Sequence, residues 1–246
     1  IPYLSNVAKT RGNTSLVPQA ILKMGTAYYN LNNNAEALVQ FKTLVEKYPS
    51  SPEAADALDN VKTIYIEDAK PDEYADFMRD AGRPLSASTE DSLTYAAAEK
   101  QYDDQNIEAA ITSFTTYLQR FPNGANALDA HFNLAEIYNS RKQWQNALRE
   151  YDAVAVVAPN KYAERAILTA ARINFFELKN YQVAERYFVQ LKQITSSQEN
   201  KLEAMRGLLR SQYQQEKWAE ALGNAKELTE AKGSSADDKT LANMAM

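Results

Sequence analysis

Residues 107–159 read IEAAITSFTTYLQRFPNGANALDAHFNLAEIYNSRKQWQNALREYDAVAVVAP. One phrase occurs twice within this stretch: an alanine, an aromatic residue four positions on, and a proline eight positions after that. Ala110, Phe114 and Pro122 give it first, and Ala147, Tyr151 and Pro159 repeat it 37 residues later. The segments between are amphipathic and of helix length. One ends at Phe121-Pro122, a second runs from near Ala125 to near Ser140, and a third starts at Trp144. A period of 20–50 residues with helical periodicity inside it marks a solenoid of stacked helical units.

The same step leads forward to Ala184 and Ala221. Trp144, Tyr181 and Trp218 stand three residues ahead of Ala147, Ala184 and Ala221, and Ile107 stands in that place before Ala110. Backward, Ala37 carries the full phrase with Phe41 and Pro49, and Ala75 fits loosely in between. Six units result, the second irregular. Each unit also needs a first helix. Ile21, Met24, Gly25 and Tyr28 supply its signature in the first unit, and His131, Leu134, Ala135 and Tyr138 in the fourth. Antiparallel helices approach to about 8–10 Å and small residues set the closest contact. Gly25, Ala98 and Ala135 are therefore expected to face Ala37, Ala110 and Ala147. The fifth unit has Arg172 at the small position and Ser196 in place of the proline, and the sixth has Leu209 and Gly233 there. Packing in those two units is expected to differ.

This pattern resembles the tetratricopeptide repeat (TPR) over about residues 15–233. The resemblance implies an all-α solenoid, a right-handed superhelix of antiparallel helix pairs. It also implies a non-enzymatic scaffold that holds a protein or peptide segment in a concave groove lined by the first helices. The period exceeds the usual 34 residues. The turns YPSSPEAADAL and FPNGANALDAHFNLAEIY resemble those of bacterial envelope members, such as the TPR protein of the Tol-Pal system and the TPR lipoprotein of the outer-membrane assembly machine. That likeness implies a periplasmic or outer-membrane-associated location, with the cytoplasm as the alternative.

A single array over 1–246 is expected, with partial repeats at 1–11 and 235–246 and a joint at the helix-poor stretch 82–88, GRPLSAS. Both ends fall inside repeats, so the chain reads as a piece of a longer array. Thr14 or Ser15 is expected to cap a helix after the Gly12–Ser15 turn. Ser51-Pro52-Glu53 reads as a hydroxyl cap, a proline at the first helical position and an acid at the positive dipole end. Lys70-Pro71 breaks a helix, and Ser88-x-x-Asp91 opens the third unit. Asn32-Asn33-Asn34 suits a tight helix–helix turn, because asparagine tolerates the left-handed backbone.

The 246 residues are 45% hydrophobic and 24% charged, enough for a folded chain. A net charge of −5 argues against nucleic acid, which requires a basic footprint. No apolar run approaches the roughly 18 residues of a membrane span. The absence of cysteine excludes disulfides, thiol nucleophiles and zinc–thiolate sites. His131 is the only histidine and takes a packing position, so a structural role is expected for it. No phosphate loop, nucleophile triad or dinucleotide fingerprint occurs, so neither catalysis nor a cofactor or metal is expected.

The fifteen tyrosines divide into seam residues and residues of the first-helix face. Placed on the repeat, that face presents Tyr29, Asp59, Tyr95, Glu99, Tyr102, Phe132, Glu136, Phe176, Arg206, Arg210 and Tyr213. Aromatic side chains offer large contact area at low entropic cost, so these are the candidate partner-binding residues. Asp56, Asp59, Glu99, Asp103, Asp129 and Glu136 make the middle of the groove acidic, which predicts a ligand with basic and apolar side chains. Arg206 and Arg210 form the one basic pair and could receive an acid. The alternatives are self-association of the array and binding of cell-wall glycan, for which aromatic platforms also serve.

Overall fold

The computed structural model describes residues 1–9 and 16–244. The expected turn and caps at Gly12–Ser15 and the terminal Met246 lie outside the described residues. Among the described residues the fold is all-α, with no strand. Helix α1 (Pro2–Lys9) precedes six helix pairs. These are α2 (Leu16–Asn30) with α3 (Asn34–Lys47), α4 (Pro52–Glu67) with α5 (Pro71–Asp80), and α6 (Ala87–Asp103) with α7 (Ile107–Arg120). Then come α8 (Ala127–Ser140) with α9 (Trp144–Val156), α10 (Ala163–Arg172) with α11 (Tyr181–Ile194), and α12 (Gln198–Gln214) with α13 (Trp218–Glu230). Helix α14 (Ala236–Asn243) follows, and a π-helical turn, Ile173–Glu177, prolongs α10.

The chain divides into two compact units, Ile1–Ala127 and Leu128–Met246. In the first, α2 touches α4 and α4 touches α6, so the first helices of successive pairs share one face. Helix α3 packs on α2 and α4, and α5 on α4 and α6. In the second, α10 touches α12, with α11 packed on both and α13 packed on α12 and α14. The stretch 82–88 lies inside the first unit, where Leu85 packs against the core and α6 begins at Ala87.

The seam is built as the spacing requires. Ala37, Ala110, Ala147 and Ala184 are fully buried, as are Phe41, Phe114 and Tyr151 four residues on. Burying one such aromatic side chain stabilises by about 1.5–3 kcal/mol. The intrapair turns show a regularity that the alanines conceal. Asn32, Ala69, Gln105, Lys142, Lys179 and Glu216 all have positive φ, between 55° and 63°. The next residue's N–H reaches back to the preceding helix, as in Asn33 N to Tyr28 O at 2.9 Å and Lys217 N to Gln212 O at 2.9 Å, the Schellman closure.

These turns correct the register of the second pair. The seam alanine stands five residues after the left-handed residue in the other five pairs. After Ala69 that place belongs to Tyr74, which is buried, whereas Ala75 is half-exposed. Tyr74 meets Tyr65 with ring centroids 6.4 Å apart. The fifth pair is corrected by the π-turn. Leu178 N bonds Ile173 O, and Asn180 N reaches Asn174 O at 2.7 Å. The extra residue rotates Arg172 outward and puts Ala171 in the core with Ala184 and Phe188. In the sixth pair the sizes are exchanged: Leu209 takes the small position and Ala225 the aromatic one, within one core cluster.

Two caps also differ from expectation. Ser51 has the extended backbone of an N-cap and Pro52 follows it, but its hydroxyl makes no cap bond. Helix α6 is capped by Ser86, which accepts from Thr89 N at 3.1 Å. Asp91 sits inside that helix, buried, and accepts from Tyr117 Oη (2.5 Å) and Ala125 N (2.7 Å). A carboxylate thereby pins the turn that follows α7. Burial and this bond push the Tyr117 phenol well above its ordinary range.

Candidate interaction surface

In the first unit several acids of the first helices are exposed. Asp56 and Asp59 on α4 and Glu99 and Asp103 on α6 are exposed. Tyr29 donates to Glu67 Oε1 at 2.8 Å, and this bond to a carboxylate raises its phenol. Tyr102 is half-buried, its ring edge-on to Phe114 at 6.4 Å. Tyr95 is buried between Phe114 (5.9 Å) and Tyr117 (5.6 Å), with its hydroxyl 3.2 Å from Glu99. It contributes to the core and presents little contact area to a partner.

In the second unit the expected acidic residues are neutralised by the next pair. Asp129 accepts from Lys161 Nζ (2.5 Å) and Tyr162 Oη (2.6 Å). Glu136 accepts from Tyr151 Oη at 2.6 Å and from Arg165. Phe132 is buried: its ring stacks on Tyr162 at 4.0 Å and 6°, with the Arg165 guanidinium 5.3 Å from its centroid. Arg172 bonds Glu203 at 2.8 Å. Arg206 makes two bonds to Asp238 (2.5 and 2.8 Å), which holds that carboxyl far below its usual range. The basic pair expected at Arg206 and Arg210 is thus divided. Arg206 fastens α14 to α12, and Arg210 stays exposed. Phe132, Glu136 and Arg206 work mainly between helices.

His131 is also a helix-to-helix contact, with Nδ1 2.7 Å from Glu150 Oε2. Burial alone would raise the Glu150 carboxyl, but bonds from His131 and Arg149 outweigh it and lower it. No group of three or more His, Asp or Glu side chains among the described residues is arranged to hold a metal ion. No helix among them is long and apolar enough to cross a membrane.

What remains open in the second unit is aromatic. A cleft of about 260 Å³ is lined by Phe175, Leu209, Arg210, Tyr213, Gln214, Leu241 and Met244. The π-turn places Phe175 in its wall and leaves Phe176 49% exposed. Tyr213 is 44% exposed, its ring 5.1 Å from that of Trp218, itself 55% exposed. Of the predicted residues, Arg210 and Tyr213 meet at this cleft. Phe175 went unrecognised because a π-turn changes which residues face outward and leaves no mark in a 37-residue alignment, and Leu241 and Met244 because they belong to the partial repeat at α14, beyond the aligned units.

Residues 19–51 and residues 95–163 each match a tetratricopeptide repeat family model. The chain carries tetratricopeptide repeats. The first match covers most of α2 and all of α3, and the second runs from within α6 to the start of α10. Comparison with curated proteins finds no match. Several solved structures are similar in fold. PilF of Pseudomonas aeruginosa is 17% identical over 92% of this chain and 97% of its own, with a TM-score of 0.43. The C-terminal part of a TPR repeat-containing protein from Cytophaga hutchinsonii is 14% identical over 98% and 92%, with a TM-score of 0.48. The TPR2AB domain of yeast Sti1, in complex with pHSP90, is 16% identical over 93% and 98%, with a TM-score of 0.36. Tetratricopeptide repeats generally mediate protein–protein interactions through such stacked helical surfaces.

Proposed function

We propose that this tetratricopeptide array is a non-enzymatic scaffold that binds a segment of a partner protein on its first-helix face, in the bacterial cell envelope. The observation that carries the binding role is the exposed aromatic surface of the second unit, where Tyr213 lines an apolar cleft and Phe176 stands exposed beside Phe175 of its wall. Exposed aromatics beside a cavity are the usual anchors of an interface. In the first unit, Asp56, Asp59, Glu99 and Asp103 offer an acidic face for basic side chains. The envelope assignment rests on the long repeat and its turn sequences alone.

The test is a pull-down from the envelope and soluble fractions of the source organism, with wild type beside Phe176→Ala/Tyr213→Ala. Both side chains are about half exposed, so the variant keeps its fold. A partner present with wild type and lost from the variant supports the reading. A set of partners identical in both lanes would refute it, and recovery only from the soluble fraction would refute the envelope location.

A further inference from the structure

The geometry points to recognition of an apolar side chain together with a neighbouring carboxylate at the Phe175–Tyr213 cleft. This rests on the partner-binding reading above and specifies the chemistry of the occupant. Three observations carry it. The first is size. A cleft of about 260 Å³ has room for one large side chain. The second is lining. Phe175, Leu209, Tyr213, Leu241 and Met244 provide apolar walls from three elements, the π-turn, α12 and α14, with Gln214 as the one uncharged polar residue of the lining.

The third is charge. Arginines on this face of the second unit follow one rule: Arg172 is matched to Glu203, and Arg206 to Asp238. Arg210, one turn after Arg206, lines the same cleft, is exposed, and pairs with no carboxylate among the described residues. An apolar cleft with an unmatched guanidinium at its rim complements an apolar residue bearing an anion close by. A guanidinium binds a carboxylate through two parallel N–H bonds, so it discriminates by geometry as well as charge. The occupant is a peptide with Phe, Trp, Leu or Met next to a carboxylate, from an Asp or Glu side chain or from a chain terminus. This is opposite in charge to the ligand that the exposed acids of the first unit favour, so the two units select different segments.

The probe is a phage-displayed library of random dodecapeptides selected on the whole chain. Enriched sequences are then titrated as labelled synthetic peptides. Expected are sequences with a large apolar residue within two positions of an acid. Phe176→Ala and Tyr213→Ala should weaken them, and Arg210→Glu should weaken them by at least about tenfold, the scale of one lost charge-assisted contact. Selection on Arg210→Glu should exchange the acid for Lys or Arg. Peptides amidated at the C-terminus separate the two sources: affinity retained assigns an Asp or Glu side chain, and affinity lost assigns the terminal carboxylate. Peptides that need Tyr213 but carry no acid and ignore Arg210→Glu would overturn this inference and leave the scaffold reading intact. No enrichment, or peptides indifferent to Phe176 and Tyr213, would overturn both. A dimer in sedimentation velocity that Tyr213→Ala dissolves would assign the cleft to a second copy and overturn it too.

Discussion

Gly25 lies flat against the ring of Phe41: a β-carbon on the glycine would stand 2.7 Å from Cδ1 and nearer still to Cε1. Gly207 meets Phe188 in the same way. Alanine is favoured over glycine in a helix by about 1 kcal/mol. Here a fully buried ring blocks the added methyl, and overpacking costs about 1–3 kcal/mol. Gly25→Ala is therefore expected to lower the thermal midpoint, and Phe41→Leu in the same chain to recover part of the loss. A midpoint raised by Gly25→Ala alone would contradict this packing.

The left-handed residues at the intrapair turns predict the reverse outcome. A non-glycine residue in this conformation costs about 1–2 kcal/mol, and the added freedom of glycine in the unfolded chain returns about 0.4–1 kcal/mol of that. Lys142→Gly and Glu216→Gly should each stabilise by a few tenths to about 1 kcal/mol in denaturant melts. Asn32→Gly should gain less, since asparagine already tolerates the geometry.

Asp91 is the polar residue whose loss should be felt most. Asp91→Ala leaves the buried Tyr117 hydroxyl without its acceptor and frees the part-buried Ala125 N–H at the surface. Unsatisfied buried donors cost about 1–3 kcal/mol each. A loss of about 1–3 kcal/mol in the first unit is expected, chiefly from Tyr117. Hydrogen exchange should show the Phe121–Asn126 turn opening first.

Acid should weaken the second unit through Asp238. Arg206 chiefly, with the bonds at Ser235, holds this carboxyl well below its unfolded value near 4. The stability it confers is fully present above about pH 4 and is lost as pH falls through the depressed folded value. Glu164, held down by Thr195 and Asn200, acts in the same direction. Asp238→Asn should flatten the dependence of the thermal midpoint on pH below about 4, and should release α14 in hydrogen exchange at neutral pH.

The fold was legible because the seam repeats in sequence as it does in space. Ala110, Ala147, Ala184 and Ala221 all proved buried, and Trp144, Tyr181 and Trp218 each open a second helix. Where one residue is added or a size is exchanged, the pattern misled. Tyr74 replaces the seam alanine, Ala171 replaces Arg172, and Leu209 with Ala225 inverts the usual pair. The candidate surface was less legible, because helical register gives direction but not partners. Nothing in the one-dimensional pattern shows that Tyr162 covers Phe132, that Arg165 reaches Glu136, or that Asp238 takes Arg206 and leaves Arg210 open.

The recurrence of a left-handed residue at 105, 142, 179 and 216 has a consequence for how such a chain can grow or shrink. Every pair closes its own turn by backbone bonds made within that pair, so a boundary there severs no backbone hydrogen bond owed to a neighbour. Excising Asn180–Glu216 would join Lys179 to Lys217, which has the same N-cap backbone setting as the Asn180 it replaces, and would remove one whole 37-residue period. Duplication at the same joints would lengthen the array just as cleanly. The turns are thus natural splice points, at which length can be altered without redesigning any interface but the one newly formed.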